Sequence, residues 1–425
     1  MKIRSLLLGT VAAAGLSTAA FATDLGVETG LDVCDDLGLT GLTISSDTNC
    51  LQISGSVKYE FVWGDMASVD LYHDFSTVNH NAYTVMDTGN FNYTSSFDAY
   101  LKFVATADSS FGPASATIKF DLDKMANGNP NSLSQLYVSI GEGTVITAGM
   151  ADSIFKDGDD EPLNFLGLFN SGAVDAGVID VDNATANSGE TGGQVLQVVS
   201  SMDNFWVGGA IEGIQTGDPN LVGVVAYNTD EIKAHASLAV DDVVNQSGDP
   251  VSWVFHSGFT GTFDTFTLVA AYGANNNGDT GAGARSESNG LISGSVTLDN
   301  FILAASAEFA DRVVGGVSDG LETGYGASVA TEISDGITLK LGYRHSNDAG
   351  TGDFIDQVAG QVVAAVSDEV TLTGEAGQIV ASHGSVFYGS GKVEWNPGGD
   401  FKASVKGEAN SNGAYKITTD VEKSF

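Results

Sequence analysis

Apolar and polar side chains alternate with period two along much of this chain, and the alternation recurs stretch after stretch. Phe97, Ala99, Leu101, Phe103 and Ala105 are interleaved with Asp98, Tyr100, Lys102, Val104 and Thr106. Ile337, Leu339, Leu341 and Tyr343 alternate with Thr338, Lys340, Gly342 and Arg344. Phe401, Ala403, Val405, Gly407 and Ala409 alternate with Lys402, Ser404, Lys406 and Glu408. The last stretch puts Tyr415, Ile417, Val421 and Phe425 on one face and Lys416, Thr418, Asp420, Glu422 and Ser424 on the other. Successive side chains of a strand point to opposite faces, so each stretch predicts a strand with one apolar and one polar face. A soluble sandwich shows the same alternation, and a single strand therefore decides nothing.

The connections add a second regularity. Short turns are predicted at 108–112, 141–143, 201–204, 228–231, 298–300, 334–336, 367–369 and 396–400. Longer polar segments fall at 64–95, 123–132, 151–192, 242–250, 275–289, 311–323 and 347–354. Short turns at one end and long loops at the other are the rhythm of an up-and-down transmembrane barrel. Aromatic residues mark the ends of the runs: Tyr59, Phe61, Trp63, Phe205, Trp206, Phe266, Tyr272, Phe301, Phe309, Trp395 and Phe401. They predict interfacial girdles. After the leader, no stretch approaches the ~18 consecutive apolar residues of a spanning helix. In lipid, open sheet edges go unsatisfied, so a membrane role requires a closed barrel. A raw count gives about twenty strands, which over-splits some runs. The length suits ~16 strands, with ~18 as the alternative, at ~10 residues each plus loops.

Composition changes this picture in three ways. Lys2 and Arg4, an apolar Leu6–Leu16 and Ala20-Phe21-Ala22 form a secretory signal peptide over residues 1–22. It carries no acid, so the mature chain 23–425 keeps all 54 acidic residues. Such a chain is not a nucleic-acid binder, because phosphates demand basic patches. The acids crowd between apolar runs, which places the negative surface mostly on loops. Cys34 and Cys50 are what an oxidising compartment would join, and no His or further Cys lies near them for a metal site.

The segment Val33-Cys34-Asp35-Asp36-Leu37-Gly38, followed by Asn49-Cys50-Leu51-Gln52-Ile53-Ser54-Gly55-Ser56-Val57-Lys58-Tyr59, resembles the porins of alphaproteobacteria. The match rests on Cys34, Cys50, Gly55, Val57 and Lys58; Leu37 departs from the aromatic often found before the glycine. The closing strand ending on Phe425 resembles the assembly signal of outer-membrane barrels. The resemblance implies a trimeric 16-stranded barrel of the Gram-negative outer membrane, seated among lipid and lipopolysaccharide after delivery by the barrel-assembly machinery. It implies passive diffusion of small hydrophilic solutes and ions, narrowed by a long loop folded into the lumen.

On this reading residues 23–50 are an N-terminal segment with a Cys34–Cys50 disulfide, and 51–425 are the pore domain. Five strand candidates, 51–63, 96–107, 113–122, 133–141 and 143–150, precede the longest interruption, 151–192. Its position, third among long loops, matches the constriction loop that the resemblance implies. Phe155, Leu163, Phe165, Leu166, Leu168 and Phe169 would pin it to a wall, while Asp157, Asp159, Asp160 and Glu161 would face the channel. Lys58, Lys102, Lys119 and Arg344 are the candidate bases of the facing wall. The excess of acid predicts mild cation selectivity. No cofactor is expected. Catalysis is not expected either: His73, His80, His235, His256, His345 and His383 are scattered and no nucleophile motif is present. The competing readings are a substrate-specific outer-membrane channel and, in another class, a secreted β-sandwich surface or binding protein.

Overall fold

The computed structural model describes residues 33–64, 92–122, 133–156, 161–169, 192–217, 219–241, 251–348, 350, 352–382 and 384–425. The signal peptide lies outside them. A helical turn, α1 (Val33–Asp36), and a short strand, β1 (Leu42–Ser45), precede twenty long strands. The first ten are β2 (Cys50–Gly64), β3 (Asn92–Ala107), β4 (Ala114–Asp121), β5 (Leu133–Gly141), β6 (Thr144–Ala151), β7 (Gly193–Met202), β8 (Phe205–Glu212), β9 (Asn220–Asn228), β10 (Ile232–Val240) and β11 (Trp253–Phe263). The rest are β12 (Phe266–Asn276), β13 (Arg285–Leu298), β14 (Phe301–Val314), β15 (Val317–Ser334), β16 (Ile337–Asp348), β17 (Phe354–Ala365), β18 (Val370–Ala381), β19 (Gly384–Gly398), β20 (Phe401–Asn410) and β21 (Tyr415–Ser424).

Each strand from β2 onward pairs antiparallel with the next, and β21 pairs back onto β2. The sheet is therefore a closed antiparallel barrel, and it has twenty strands where 16 or 18 were expected. The raw sequence count was the better guide. Connections are shorter than the length argument assumed. The segment 311–323, expected as a loop, is the end of β14 and the start of β15 joined by Gly315 and Gly316. Its charged residues read as loop because the strands run on past their apolar stretch.

At the opposite rim, the two-residue turns start from Asp203, Asp264 and Asp299, or end on Asp400, all at positive φ. Asp is one of the few side chains that tolerates that region, which is why these hairpins close so tightly. The wall is uneven: β4, β5 and β6 have 8, 9 and 8 residues, whereas β13, β14 and β15 have 14, 14 and 18.

The burial pattern is inverted relative to a water-soluble sheet. Leu196, Val198, Leu221, Val225, Ile292, Leu303, Leu341, Val358, Val393 and Val405 are exposed on the outer face. An apolar band of that extent suits hydrocarbon and would be an aggregation surface in water. Aromatic pairs flank it near both rims, among them Phe205 with Tyr227, Trp395 with Phe401, Trp63 with Tyr415 and Tyr272 with Phe309. Trp206 departs from the predicted girdle. It stands opposite Ala226 and Ser201 on the inner face, with the Lys156 ammonium 5.3 Å from its ring.

The closing seam pairs β2 with β21 from Gly64–Lys416 to Ser56–Ser424, and Phe425 extends it by one residue. Gly55 and Phe425 exchange both backbone hydrogen bonds at 2.9 Å. Below them β1 pairs with the start of β2, where Cys34 and Cys50 form the expected disulfide. A side chain at Gly55 would put its Cβ 2.6 Å from the Phe425 ring and 2.9 Å from the Tyr100 carbonyl oxygen. Gly55→Val is accordingly expected to cost about 1–3 kcal/mol of barrel stability. The readout is the urea midpoint for loss of heat-modifiable gel mobility. An unchanged midpoint would mean that the Phe425 ring moves aside freely.

Candidate functional site

The inner face of the barrel carries two unlike arcs. From β8 to β13 an apolar cluster of Ala210, Val222, Val224, Ala239, Val254, Val269, Ala271 and Leu291 lies among buried polar side chains, Glu212, His235, Ser237, His256 and Ser293. From β19 through β21 to β4 the face is mainly hydrophilic, with Val62, Val104 and Val386 the apolar exceptions. Register places Lys392 and Glu394, Lys402, Lys406 and Glu408, Lys416, Asp420 and Glu422, Lys58 and Glu60, Asp98 and Lys102, and Lys119 and Asp121 on that face. Seven lysines thus stand with seven carboxylates, and among the charged residues of these six strands only Lys423 points outward.

The segment after β6 covers the apolar arc. Residues 152–156 and 161–169 run as a strap across the inner wall, and successive strands grip its backbone. Lys156 N–H donates to the Ser237 hydroxyl on β10 at 2.9 Å, and Leu163 N–H to Ser293 on β13 at 2.8 Å. Phe165 N–H donates to Ser328 on β15 at 2.9 Å. Ser306 on β14 donates to the Asn164 side-chain oxygen at 2.5 Å. Serine at these alternate positions is small enough for the strap to approach and still supplies an acceptor. Opposite Asn164, Gly326 leaves room that a Cβ would fill, at 2.6 Å from the amide nitrogen. Ile154, Phe155, Leu163 and Leu168 pack on the apolar wall, and Phe165, Leu166 and Phe169 pack on Ile355, Ile379, Val386 and Tyr388.

Two charged side chains fasten the ends. Glu212, fully buried at the end of β8, accepts the Ile154 N–H at 3.0 Å with one oxygen and the Gly192 N–H at 2.7 Å with the other. The Gln197 amide donates a third bond at 3.2 Å. One carboxylate therefore holds both roots of the 152–192 excursion. Without such donors a buried carboxylate is costly, and here three satisfy it. At the far end Arg344 donates to the Leu168 carbonyl at 3.1 Å and to Gln357 at 2.7 Å, with its guanidinium 4.0 Å from the Phe169 ring.

The sequence-derived residues are distributed as follows. Lys58, Lys102 and Lys119 face the lumen; Lys58 is 3.9 Å and Lys119 3.4 Å from their nearest carboxylates, Asp420 and Asp121. Lys102 stands directly opposite Lys119. Arg344 lies on the inner face but is buried beneath the strap, so it acts as a clamp rather than as an open wall charge. Asp157, Asp159 and Asp160 lie outside the described residues, and Glu161 is exposed. Sequence reasoning missed Glu212 and the serine anchors. Glu212 closes an otherwise apolar strand, Phe205–Glu212, a weak signal that a buried carboxylate is needed there. Also unforeseen is the meeting of His235 and His256 on the inner face, ring nitrogens 3.0 Å apart.

Strand pairing, apolar exterior and polar lumen together define a closed transmembrane-type β-barrel. No protein-family model matches the sequence, and no curated protein matches it. Among solved structures the chain is similar to the outer membrane protein OmpT of Vibrio cholerae with loop L8 deleted, at 12% identity and a TM-score of 0.42, over 89% of this chain and 100% of that one. It is also similar to the anion-selective porin of Comamonas acidovorans, at 10% identity and a TM-score of 0.38, over 89% and 100%. A triple mutant of the Rhodopseudomonas blastica porin gives 11% and 0.39, over 88% and 100%.

Proposed function

We propose that the chain forms a water-filled channel in the outer membrane of a Gram-negative cell, through which small hydrophilic solutes and ions diffuse passively. One observation carries this reading: an apolar exterior encloses a lumen in which the strap covers one apolar arc while another arc, β19 through β21 to β4, carries seven lysines and seven carboxylates. Water and solutes would pass along that charged arc, and the strap would set the width. Asp157, Asp159, Asp160 and Glu161 fall between two anchored points, Lys156 and Leu163, and we place them at the constriction. Lys58, Lys102 and Lys119 would face them across the passage, with mild cation preference overall.

The remaining parts of the reading follow the alphaproteobacterial porin resemblance: export by residues 1–22, insertion by the assembly machinery through Phe425, a homotrimer, and contact with lipid and lipopolysaccharide. The channel performs no covalent chemistry and needs no cofactor. A substrate-specific channel is the nearest alternative. In planar bilayers the refolded protein is expected to insert with conductance steps in threes. Neutralising Asp157, Asp159, Asp160 and Glu161 together should reduce cation preference. Heat-modifiable protein that never conducts would overturn the channel reading, and steps that come singly would overturn the trimer.

A further inference from the structure

The hydrophilic arc carries a charge order that the chain's net charge does not explain. Lys402 on β20 stands directly opposite Glu422 on β21, Glu422 opposite Lys58 on β2, and Lys58 opposite Asp98 on β3. Positive and negative groups therefore alternate across four neighbouring strands, which lie ~4.8 Å apart. Opposed charges in a sheet ordinarily close into ion pairs and stabilise it. Among the described residues none of these three opposed pairs does so. The Lys58 ammonium rests 3.9 Å from Asp420 instead, and Glu422 accepts only from hydroxyls, Ser56 at 3.4 Å and Ser424 at 3.4 Å. The neighbouring row sets Asp420 against Glu60, two like charges. An arrangement built for sheet stability would avoid that opposition. Both signs are left available to whatever occupies the lumen.

We propose that this row favours zwitterionic solutes of amino-acid to short-peptide size. Their ammonium would meet Glu422 or Asp98 while their carboxylate meets Lys402 or Lys58, with the two contacts made at once. A single ion finds a repelling neighbour beside each attracting one, and an uncharged polyol finds no charge pairing. The inference rests on the channel reading and names its solute class.

Osmotic swelling of liposomes holding the purified full chain tests it. A dipeptide is compared with an uncharged sugar alcohol of the same size. The dipeptide is expected to enter about threefold faster, the scale of solvent-exposed charge pairing. Replacing Lys402 and Lys58 with Gln, Glu422 with Gln and Asp98 with Asn removes two charges of each sign and leaves the net charge unchanged. The dipeptide-to-polyol ratio should then fall to one. Equal rates in the unaltered protein would overturn the inference while leaving the channel standing, and the comparison does not depend on the variant folding. A ratio that persists in a folded variant would also overturn it. No swelling with any solute would remove the channel reading and this inference together.

Discussion

Glu212→Ala is expected to release the root of the lumenal strap, raising single-channel conductance and open-channel noise while the barrel remains closed. The carboxylate holds Ile154 at the start of the 152–192 excursion and Gly192 at its end, and it also takes the Gln197 amide. Hydrogen bonds to a charged group are worth ~1.5–3 kcal/mol each, so losing the two that hold the roots weakens the latch by ~3 kcal/mol or more. At ~1.4 kcal/mol per decade, that is about a hundredfold in the equilibrium between held and released roots. The Ser237, Ser293 and Ser328 anchors and the Arg344 clamp remain, so the tip should stay on the wall while the root fluctuates. The backbone ladder between β7 and β8 does not depend on this side chain, whose one bond between strands is that from Gln197, and heat-modifiable mobility should survive. Glu212→Gln keeps the shape and one acceptor and should fall between the two. Folded Glu212→Ala protein with unaltered conductance and noise would show that the wall contacts alone fix the strap.

Cation preference is expected to be strongest at low salt and to fall at 1 M to the mild bias set by the acids of the strap. The lumenal arc from β19 to β4 balances seven lysines with seven carboxylates, so the chain's charge of -37 must sit elsewhere. Much of it lies at the mouths. The nine short connections at the rim opposite the strap's roots carry Asp108, Glu142, Asp203, Asp230, Glu231, Asp264, Asp299, Asp335, Asp368, Glu369 and Asp400, with no lysine or arginine. Charges at a wide mouth act through solvent, with a screening length of ~10 Å at 0.1 M and ~3 Å at 1 M. Reversal potentials under a fixed KCl ratio, measured from about 0.03 to 1 M, should therefore lose most of their cation bias as the mean salt rises. A bias that persists undiminished at 1 M would mean that the mouths add nothing and that all of the selectivity lies in the narrow passage, at the acids of the strap.

Several features were legible before any coordinates. The alternation 97–105 gave the face of β3, and that of 415–425 gave the outward Tyr415, Ile417, Val421 and Phe425 against inward Lys416, Asp420 and Glu422, because strand parity needs no tertiary information. Turn composition located eight of the nine short connections, with Asp203, Asp299 and Asp400 among them, and missed the one at Asp264 and Thr265 because the strands on either side run on without a polar break. The strap was recognisable from its apolar residues 154–169, too many for a segment left in water. Less legible was anything set by register. Whether Arg344 meets water or lies under Phe169 depends on where the strap runs. The opposition of Lys402, Glu422, Lys58 and Asp98 joins residues from both ends of the chain.

Glu212 and His235 illustrate the same limit from the other side. Each is one charged or titratable residue at the correct parity of an ordinary strand, and nothing in its neighbours announces what will lie against it. The sequence by itself determined the architecture: antiparallel strands with an apolar outside and a polar inside, one rim of tight turns, and a long inserted segment. These follow from local periodicity and turn chemistry. The tertiary structure alone decided between a count of about twenty strands and the 16 or 18 that length suggested, the division of the lumen into a covered apolar arc and a charged arc, and the partners of each buried charge. Those depend on register, closure and the path of one loop, and contacts between distant parts of the chain leave no periodic trace in its sequence.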